Sequence, residues 1–330
     1  MYSIETKSLL KSFGTVTAVD GISFSVEDGE IFGFLGPNGA GKSTTMMILT
    51  TLLKPTSGQA LVNGFNVATH AKQVRQSIGY VQQETTVDEY LTGRENLLLQ
   101  ARLNHIPKDQ IDKRIDEVLE LIELSDKQND PVVTYSGGMR KRLDIAGGLL
   151  HHPKVLFLDE PTVGLDIQTR RKIWEYIKKI HTEFAMTIFL TTHYMEEADQ
   201  LCDRIGIIDY GKIQVIDSPQ NMKNAMGNEV ITIFVDIFKE QFLSELKNIS
   251  TVSKINQDDN KLTLFTSKGT EAIPKIFEIS SKLDVKINSI SLTQPSLDDV
   301  FISYTGREIR DDDSTFNRKR EHAKMKRIRA

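Results

Sequence analysis

The sequence predicts an α/β fold, and three observations carry that expectation. Continuous apolar or β-branched runs at Ile31 to Leu35, Val155 to Leu158 and Thr187 to Leu190 read as strands buried on both faces of a parallel sheet. Helical patterns lie between them: Ile111, Ile115, Val118, Leu119 and Ile122 share one face, and Ile173, Ile177 and Ile180 repeat the spacing after Arg170. The alternation of the two patterns is the mark of layered α/β domains. At 330 residues the chain exceeds one ordinary domain, so a large domain and a smaller one are expected.

The remaining elements follow in order. RIGIIDYGKIQVID, 204–217, reads as two strands around a turn at Tyr210 and Gly211, closing a first domain over 1–218. Pro219 to Gly227 is a connector. Beyond it, EVITIFVD (229–236) is a strand and Lys239 to Leu246 a helix. VSKINQ and KLTLFTS pair around Asp258, Asp259 and Asn260. A helix from Glu271 to Leu283 and a strand from Val285 to Leu292 complete the set. The order β-α-β-β-α-β predicts a small α+β, ferredoxin-like domain over 228–306. From 307 to 330 apolar periodicity is lost, which predicts a charged, disordered tail. Seven of the thirteen residues from Arg318 to Ala330 are Lys or Arg, preceded by Asp311, Asp312 and Asp313. Such a cluster is attracted to anionic headgroups, against the plain alternative of a solvated end.

Composition narrows the class. Hydrophobic residues at 39% and charged residues at 26% are ordinary for a globular protein with a sizeable core. A net charge of -4 gives no global signal for nucleic acid or an anionic membrane. The single cysteine, Cys202, excludes an internal disulfide and fits a reducing compartment. The N-terminus MYSIETKSLLKSFG has no apolar core like that of a signal peptide, and no apolar run approaches the ~18 residues needed to span a bilayer. A cytoplasmic location is expected, with any membrane role arising through a partner.

Three motifs carry chemistry. The first is Gly36-Pro37-Asn38-Gly39-Ala40-Gly41-Lys42-Ser43-Thr44, between the strand EIFGFL and the apolar stretch MMILTTLL. A strand, a glycine-rich loop and a helix are the context a P-loop requires. Glycines let backbone N–H groups turn inward around phosphate oxygens, and the helix N-terminus adds partial positive charge. Lys42 would reach the β- and γ-phosphates, and the Ser43 hydroxyl would ligate Mg²⁺. The bland alternative is a glycine-rich turn. The second motif is VLFLDEP, 155–161, in which a strand ends in two carboxylates. Asp159 would complete the Mg²⁺ shell, and Glu160 would polarise the attacking water. The alternative is a strand followed by solvated acids. The third is Tyr135-Ser136-Gly137-Gly138-Met139-Arg140, opening the helical segment KRLDIAGGLLHH. A serine and two glycines at a helix start can bind an anion, or can simply cap the helix.

GPNGAGKST, YSGGMR and VLFLDEPTVGLD, in that order, together resemble the nucleotide-binding subunit of ABC transporters over residues 2 to about 217. The resemblance implies a P-loop NTPase of ABC type: a mixed sheet core with a helical subdomain at roughly 84–150, binding ATP and Mg²⁺. It also implies roles for single residues. Phe13 stands at the aromatic that stacks on adenine. Gln83, in IGYVQQ, stands at the glutamine that contacts Mg²⁺ and couples to the membrane domain, with Gln82 the lesser candidate. Ser136, Gly137 and Gly138 match the signature loop, which contacts the γ-phosphate held by the other subunit. Asp166, in GLD, matches the loop across the dimer seam, and His193 matches the histidine that reads the γ-phosphate. Outside this pattern, each would pass for a core or surface residue.

Two departures stand out. The signature reads YSGGM where many members have LSGGQ, which removes one polar contact. Gly147 and Gly148 replace arginine and alanine in the following helix, each at a cost of ~1 kcal/mol if solvent-exposed. YSGGMRKRLDIA, DEPTVGLD and QPSLDDVFISYTGREIRD further resemble the drug-resistance exporter ATPases, the group that includes daunorubicin-resistance ATPases. There a single-domain ATPase pairs with a separate permease, so the resemblance implies a homodimer on the cytoplasmic face of the membrane and no nucleic-acid partner. A soluble ABC ATPase acting on ribosomes or DNA is the alternative. Against it, the chain holds one cassette, and only about ninety residues, without sustained heptads, separate the P-loop from the signature. An inactive cassette is opposed by intact Lys42, Asp159, Glu160 and His193.

Overall fold

The computed structural model describes residues 1–227 and 229–306. β1 (Tyr2–Phe13), β2 (Val16–Glu27), β3 (Ile31–Leu35), α1 (Lys42–Leu49), β4 (Ser57–Val62), β5 (Phe65–Asn66), α2 (Ala71–Ser77) and β6 (Ile78–Val81) come first. Three helices follow, α3 (Gly93–Leu103), α4 (Lys108–Leu121) and α5 (Gly137–Leu149). Then come β7 (Val155–Asp159), α6 (Ile167–Phe184), β8 (Thr187–Thr192), α7 (Met195–Leu201), β9 (Arg204–Asp209), β10 (Lys212–Asp217) and α8 (Pro219–Ala225). The last stretch holds β11 (Glu229–Val235), α9 (Glu240–Lys247), β12 (Val252–Asp258), β13 (Lys261–Thr266), α10 (Gly269–Lys282), β14 (Ile287–Thr293) and α11 (Leu297–Thr305).

The central sheet has six strands in the order β10-β9-β3-β8-β7-β6. Its members from β9 to β6 run parallel, and β10 returns antiparallel to β9, so the sheet is mixed as expected. The pleat sends successive side chains to opposite faces. Phe32 and Phe34 of β3 and Phe157 of β7 therefore point to one side, while Ile31, Leu35, Leu156 and Leu158 point to the other. The first side meets α1 and a four-stranded antiparallel sheet, β2-β1-β4-β5, through stacked aromatics. The Phe24–Phe32 and Phe32–Phe189 ring centroids lie 5.6 and 5.7 Å apart. The second side is covered by helices α3 to α7. Burial on both faces explains why the central strands read as unbroken apolar runs.

The antiparallel sheet is an addition to the expected architecture. β1 and β2 hide from a period-two reading because their pairing slips between Thr6 and Leu9, where Ser8 takes a φ of 47°. The two departing glycines also find a physical reason. α5 runs unbroken through Gly147 and Gly148, and neither is exposed. A Cβ on Gly148 would stand 3.2 Å from Val81 Cγ2, and one on Gly79 would stand 2.3 Å from the Gly148 carbonyl oxygen. The glycines thus let α5 approach β6 closely, and the exposure on which the expected helix penalty depended does not arise.

The C-terminal strands form an antiparallel sheet in the order β12-β13-β11-β14. The second strand of this unit lies at one edge, the fourth at the other, and α9 and α10 cover one face through Phe242, Leu246, Ala272 and Ile276. This is the split β-α-β arrangement of a ferredoxin-like unit. α11 behaves differently from the rest of 228–306. Its Leu297, Val300 and Phe301 enter the core of the large unit, against α7, α8 and β10. A capping box of Ser296 and Asp299 starts the helix, and Lys254 Nζ of β12 donates to the Ser303 carbonyl at 2.8 Å. The helix therefore straps the C-terminal sheet to the core of the large unit. The predicted tail, 307–330, lies outside the described residues. Among the described residues no helix is long and apolar enough to cross a membrane.

The strap is testable. Phe301 is fully buried, so Phe301→Ala should cost about 3–5 kcal/mol. The lone tryptophan, Trp174 in α6, is buried in the same core and reports its unfolding by fluorescence. The Trp174 transition is expected at lower urea in the variant. An unmoved transition would mean that α11 does not stabilise this core.

Candidate active site

β3 ends at Leu35 and hands the chain to the loop 36–41, which turns into α1. Gly39 and Gly41 take φ of 83° and 110°, a region closed to most side chains. A Cβ on Gly36 would meet the Ile208 carbonyl oxygen at 2.3 Å, and one on Gly41 would meet that of Ala18 at 2.5 Å. A Cβ on Gly39 would meet nothing within 4 Å. The loop is thus wedged on its protein side and open on the other. Pro37, Asn38 and Ala40 shape the turn, with Ala40 N–H donating to the Pro37 carbonyl at 3.2 Å. No side chain caps α1, so its first amides remain available to an anion, with Thr44 half-buried in the first turn.

Lys42 opens α1 with its side chain 4% exposed. Its ammonium donates to the carbonyls of Gly36 at 2.6 Å and Pro37 at 3.2 Å, and lies 3.2 Å from Glu160 Oε1. Burial pulls the Lys42 pKa down, and the Glu160 charge opposes that pull. Across the site, Ser43 Oγ donates to Asp159 Oδ1 at 3.3 Å, and the Thr191 hydroxyl donates to the same oxygen. Glu160 adopts a φ of 45°, a strained conformation for this residue. Its N–H donates to the Thr191 carbonyl and hydroxyl oxygens, both at 3.1 Å, which holds it there. His193 Nδ1 lies 3.2 Å from Glu160 Oε2.

These surroundings drive the two neighbouring carboxyls apart. For Asp159, burial and the adjacent Glu160 charge raise the pKa, and its hydrogen bonds from Thr191 and Ser43 resist without reversing the shift. For Glu160, burial also raises, but the His193 hydrogen bond and the Lys42 charge together outweigh it and leave the carboxyl below its ordinary value. Glu160 is therefore held ionised, in a form able to accept a hydrogen bond.

A second group gathers elsewhere on the chain. Ser136 caps α5 by accepting from Met139 N–H, and Gly137 and Gly138 form its first turn. A Cβ on Gly138 would stand 2.4 Å from Thr169 Cγ2, so this glycine brings the signature helix against the start of α6. Asp166 caps α6 by accepting from Thr169 N–H at 3.0 Å. Ser136, Gly137 and Asp166 are all exposed. Phe13 lies at the end of β1, 49% exposed, with Lys11 Nζ 5.0 Å from its ring centroid. Gln83 is exposed in the loop after β6. The structure thus brings Lys42, Ser43, Asp159, Glu160 and His193 into one cluster. It sets the signature residues and Asp166 in another.

The motifs did not reveal two groups that shape the first cluster. Thr191 ties Asp159 and the Glu160 backbone together. Glu197, fully buried, accepts from Thr162 Oγ1 at 2.8 Å and Trp174 Nε1 at 2.9 Å, joining the segments that follow Glu160 and His193. A signal existed for Glu197: a charge at the helical spacing of Ala198 and Leu201, on the buried side of α7.

A metal fits these residues only with help. Among the described residues no group of three or more His, Cys, Asp or Glu side chains could hold a metal by itself. Mg²⁺ typically keeps one or two carboxylates and takes its other ligands from phosphates and water, which suits Ser43 beside Asp159. A glycine cradle open on one side, a buried lysine and a strand-end carboxylate pair define a P-loop ATPase.

Comparison with known proteins sharpens this class. Residues 19–163 match the family described as ABC transporter, and residues 218–305 match that described as ATP-binding protein DrrA1-3-like, C-terminal domain. The chain is 38% identical over 309 residues to daunorubicin resistance ATP-binding protein DrrA2 of Streptomyces coeruleorubidus, covering 92% of this chain and 95% of that one. It is 35% identical over 311 residues to linearmycin resistance ATP-binding protein LnrL of Bacillus subtilis, covering 93% and 100%. Among solved structures, a dimeric post-hydrolysis state of the ATP-binding cassette MJ0796 bound to ADP and Pi is similar at a TM-score of 0.59 and 27% identity, covering 65% of this chain and 98% of that one. The chain belongs to the family of ABC transporter ATP-binding subunits. It is an ATPase that energises a membrane transporter, related to drug-resistance ATP-binding proteins.

The Glu160 shift sets a pH dependence. A carboxyl depressed below 4.5 in the folded state contributes stability that is fully present above that value and is lost as pH falls through the folded pKa. The difference in unfolding free energy between the wild type and Glu160→Gln should therefore shrink below pH 4.5. Urea unfolding of both proteins across that range checks it, and a constant or widening gap would refute the assigned direction.

Proposed function

We propose that the chain hydrolyses Mg-ATP as a homodimer, each nucleotide held between the phosphate loop of one protomer and the signature loop of its partner. The observation that carries this reading is the Lys42–Glu160–His193 cluster at the mouth of the glycine cradle. Phe13 stacks on adenine. Gly36 to Thr44 surround the phosphates, and Lys42 exchanges Glu160 for the β- and γ-phosphate oxygens. Ser43, Asp159 and Gln83 would hold Mg²⁺, which when bound supplies charge neutralisation for the phosphates. Glu160, released from Lys42 but still beside His193, polarises the water that attacks the γ-phosphorus. The bond to the β–γ bridging oxygen breaks, leaving ADP and phosphate. His193 orients Glu160 and meets the γ-phosphate. Positioning and charge stabilisation supply most of the rate.

The homodimer is supported by exposure. Ser136, Gly137 and Asp166 face solvent, available to a nucleotide carried by another chain, and the similar MJ0796 cassette is dimeric. A separate permease, docked on the face around Gln83 to Glu95, would receive the movement. That face adjoins a cavity of 290 Å³ lined by Leu52, Arg75, Tyr80, Thr86 and Asn96 among others. We further propose export as the direction, the cytoplasmic face of the membrane as the location, and a division into 1–218, with a helical subdomain at roughly 84–150, and 228–306. A soluble role on ribosomes or DNA is not favoured, since the relatives are named for resistance and export.

Glu160→Gln should keep ATP binding, nearly abolish turnover and trap an ATP-bound dimer, as size-exclusion chromatography with and without ATP will show. Wild-type turnover in this variant would assign the water to another group. Ser136→Arg should block hydrolysis while the monomer still binds nucleotide. When it is mixed with Lys42→Ala, both lesions fall at one seam of a mixed dimer and the other seam is intact, so activity should return. Mixed dimers that form without recovering activity would remove the case for a shared site.

A further inference from the structure

α5 begins at the signature loop, and its next two turns hold the segment that carries Gln83. Lys141 is 4% exposed, and its ammonium donates to the carbonyls of Gln82 at 2.7 Å and Gln83 at 3.3 Å. Asp144, one turn on, accepts from Thr86 Oγ1 at 2.6 Å and Thr86 N–H at 3.3 Å, and lies 4.0 Å from Lys141 Nζ. Arg140 adds an outer tie, pairing with Glu89 and donating to the Val133 carbonyl at 3.1 Å. The reason lies at the end of β6. The ladder to β7 stops at Val81, so the next two carbonyls need another donor, and a buried ammonium needs acceptors. The Gln82 and Gln83 side chains stay exposed while their backbone is clamped.

We propose that Lys141 is a positioning residue that locks the Gln83 segment to the signature helix, so that the two loops move as one body when nucleotide binds. Lys141 stands about one helical turn, roughly 5.4 Å, from the signature glycines, too short a stretch of helix to absorb a displacement. A ligand that draws on the Gln83 side chain then shifts Ser136 and Gly137 with it. The inference rests on the proposed roles of Gln83 and Ser136 to Gly138 in the ATP site.

The test uses the full-length chain. Lys141→Met keeps the aliphatic stem and removes the donors. A fluorescent ATP analogue should bind it as tightly as the wild type, while kcat falls at least about tenfold and KM changes by less than about twofold, the pattern of misplaced groups rather than lost binding. Thr86 is exposed, so Thr86→Val removes its hydroxyl's bond to Asp144 while keeping the side-chain shape, and should lower kcat by about two- to fivefold. Hydrogen exchange supplies the second readout. In a Glu160→Gln background, ATP should change protection at 82–89 and 137–141 together. With Lys141→Met added, the two segments should respond separately. Wild-type kcat in either variant, or joint exchange in the absence of Lys141, overturns the lock. If Glu160→Gln and Ser136→Arg also hydrolyse normally, the reading of the site itself has failed. If those two are arrested and Lys141→Met is not, only the lock has failed.

Discussion

An ammonium held away from water must find negative charge, and the site is arranged around that requirement at Lys42. Neighbouring strands of the central sheet supply what it needs. β3 delivers Lys42 through the glycine loop, β7 ends in Asp159 with Glu160 next in the chain, and β8 ends in Thr191 and Thr192 before His193. Parallel register aligns these ends, with Leu35 opposite Thr192 and Asp159 opposite Thr191. Ligands of α/β sheets bind outside the carboxyl ends of such strands. The aromatic stack below and the helices above keep the three strands in place, which is how a core of phenylalanines bears on the position of one charge.

The same requirement gives the ligand-free site its character. Glu160 satisfies Lys42 on one oxygen and meets His193 on the other. Its strained backbone persists because Thr191 binds its N–H twice over. A phosphate group offers Lys42 a better partner, with more oxygens and more charge. In the proposed mechanism, substrate binding would then free one oxygen of a carboxylate that already lies beside His193. On the proposed mechanism, the exchange that seats the substrate would also prepare the general base. On the proposed reading this preparation belongs to one chain, and the exposed Ser136 and Asp166 are what a second chain would bring to the site.

The parts of this arrangement that were legible in the sequence share a physical cause. Strands buried on both faces leave unbroken apolar runs, and Gly39 and Gly41 mark backbone that side chains cannot follow. Lys42, Ser43, Asp159 and Glu160 are legible because they follow such runs. What stayed hidden depends on contacts between distant segments. β1 and β2 lost their alternation to irregular pairing. Gly147 and Gly148 read as helix defects in the sequence, and the close approach of β6 is their physical reason. Lys141 and Glu197 resemble ordinary surface charges in a string of letters, and only packing shows them buried with partners. Residues 297–305 fall inside the predicted 228–306 unit, where no helix is read from the sequence, yet the apolar face of α11 belongs to the ATPase core.

The central claim is that Glu160 occupies the place of the outer phosphates until substrate arrives. Calorimetric titration of Mg-free ATP and of AMP into the wild type and Glu160→Gln tests it directly, because AMP lacks the phosphates that compete. The account predicts that the variant binds ATP more tightly, by about tenfold or about 1.4 kcal/mol, and binds AMP no differently. Equal or weaker ATP binding by Glu160→Gln would contradict it.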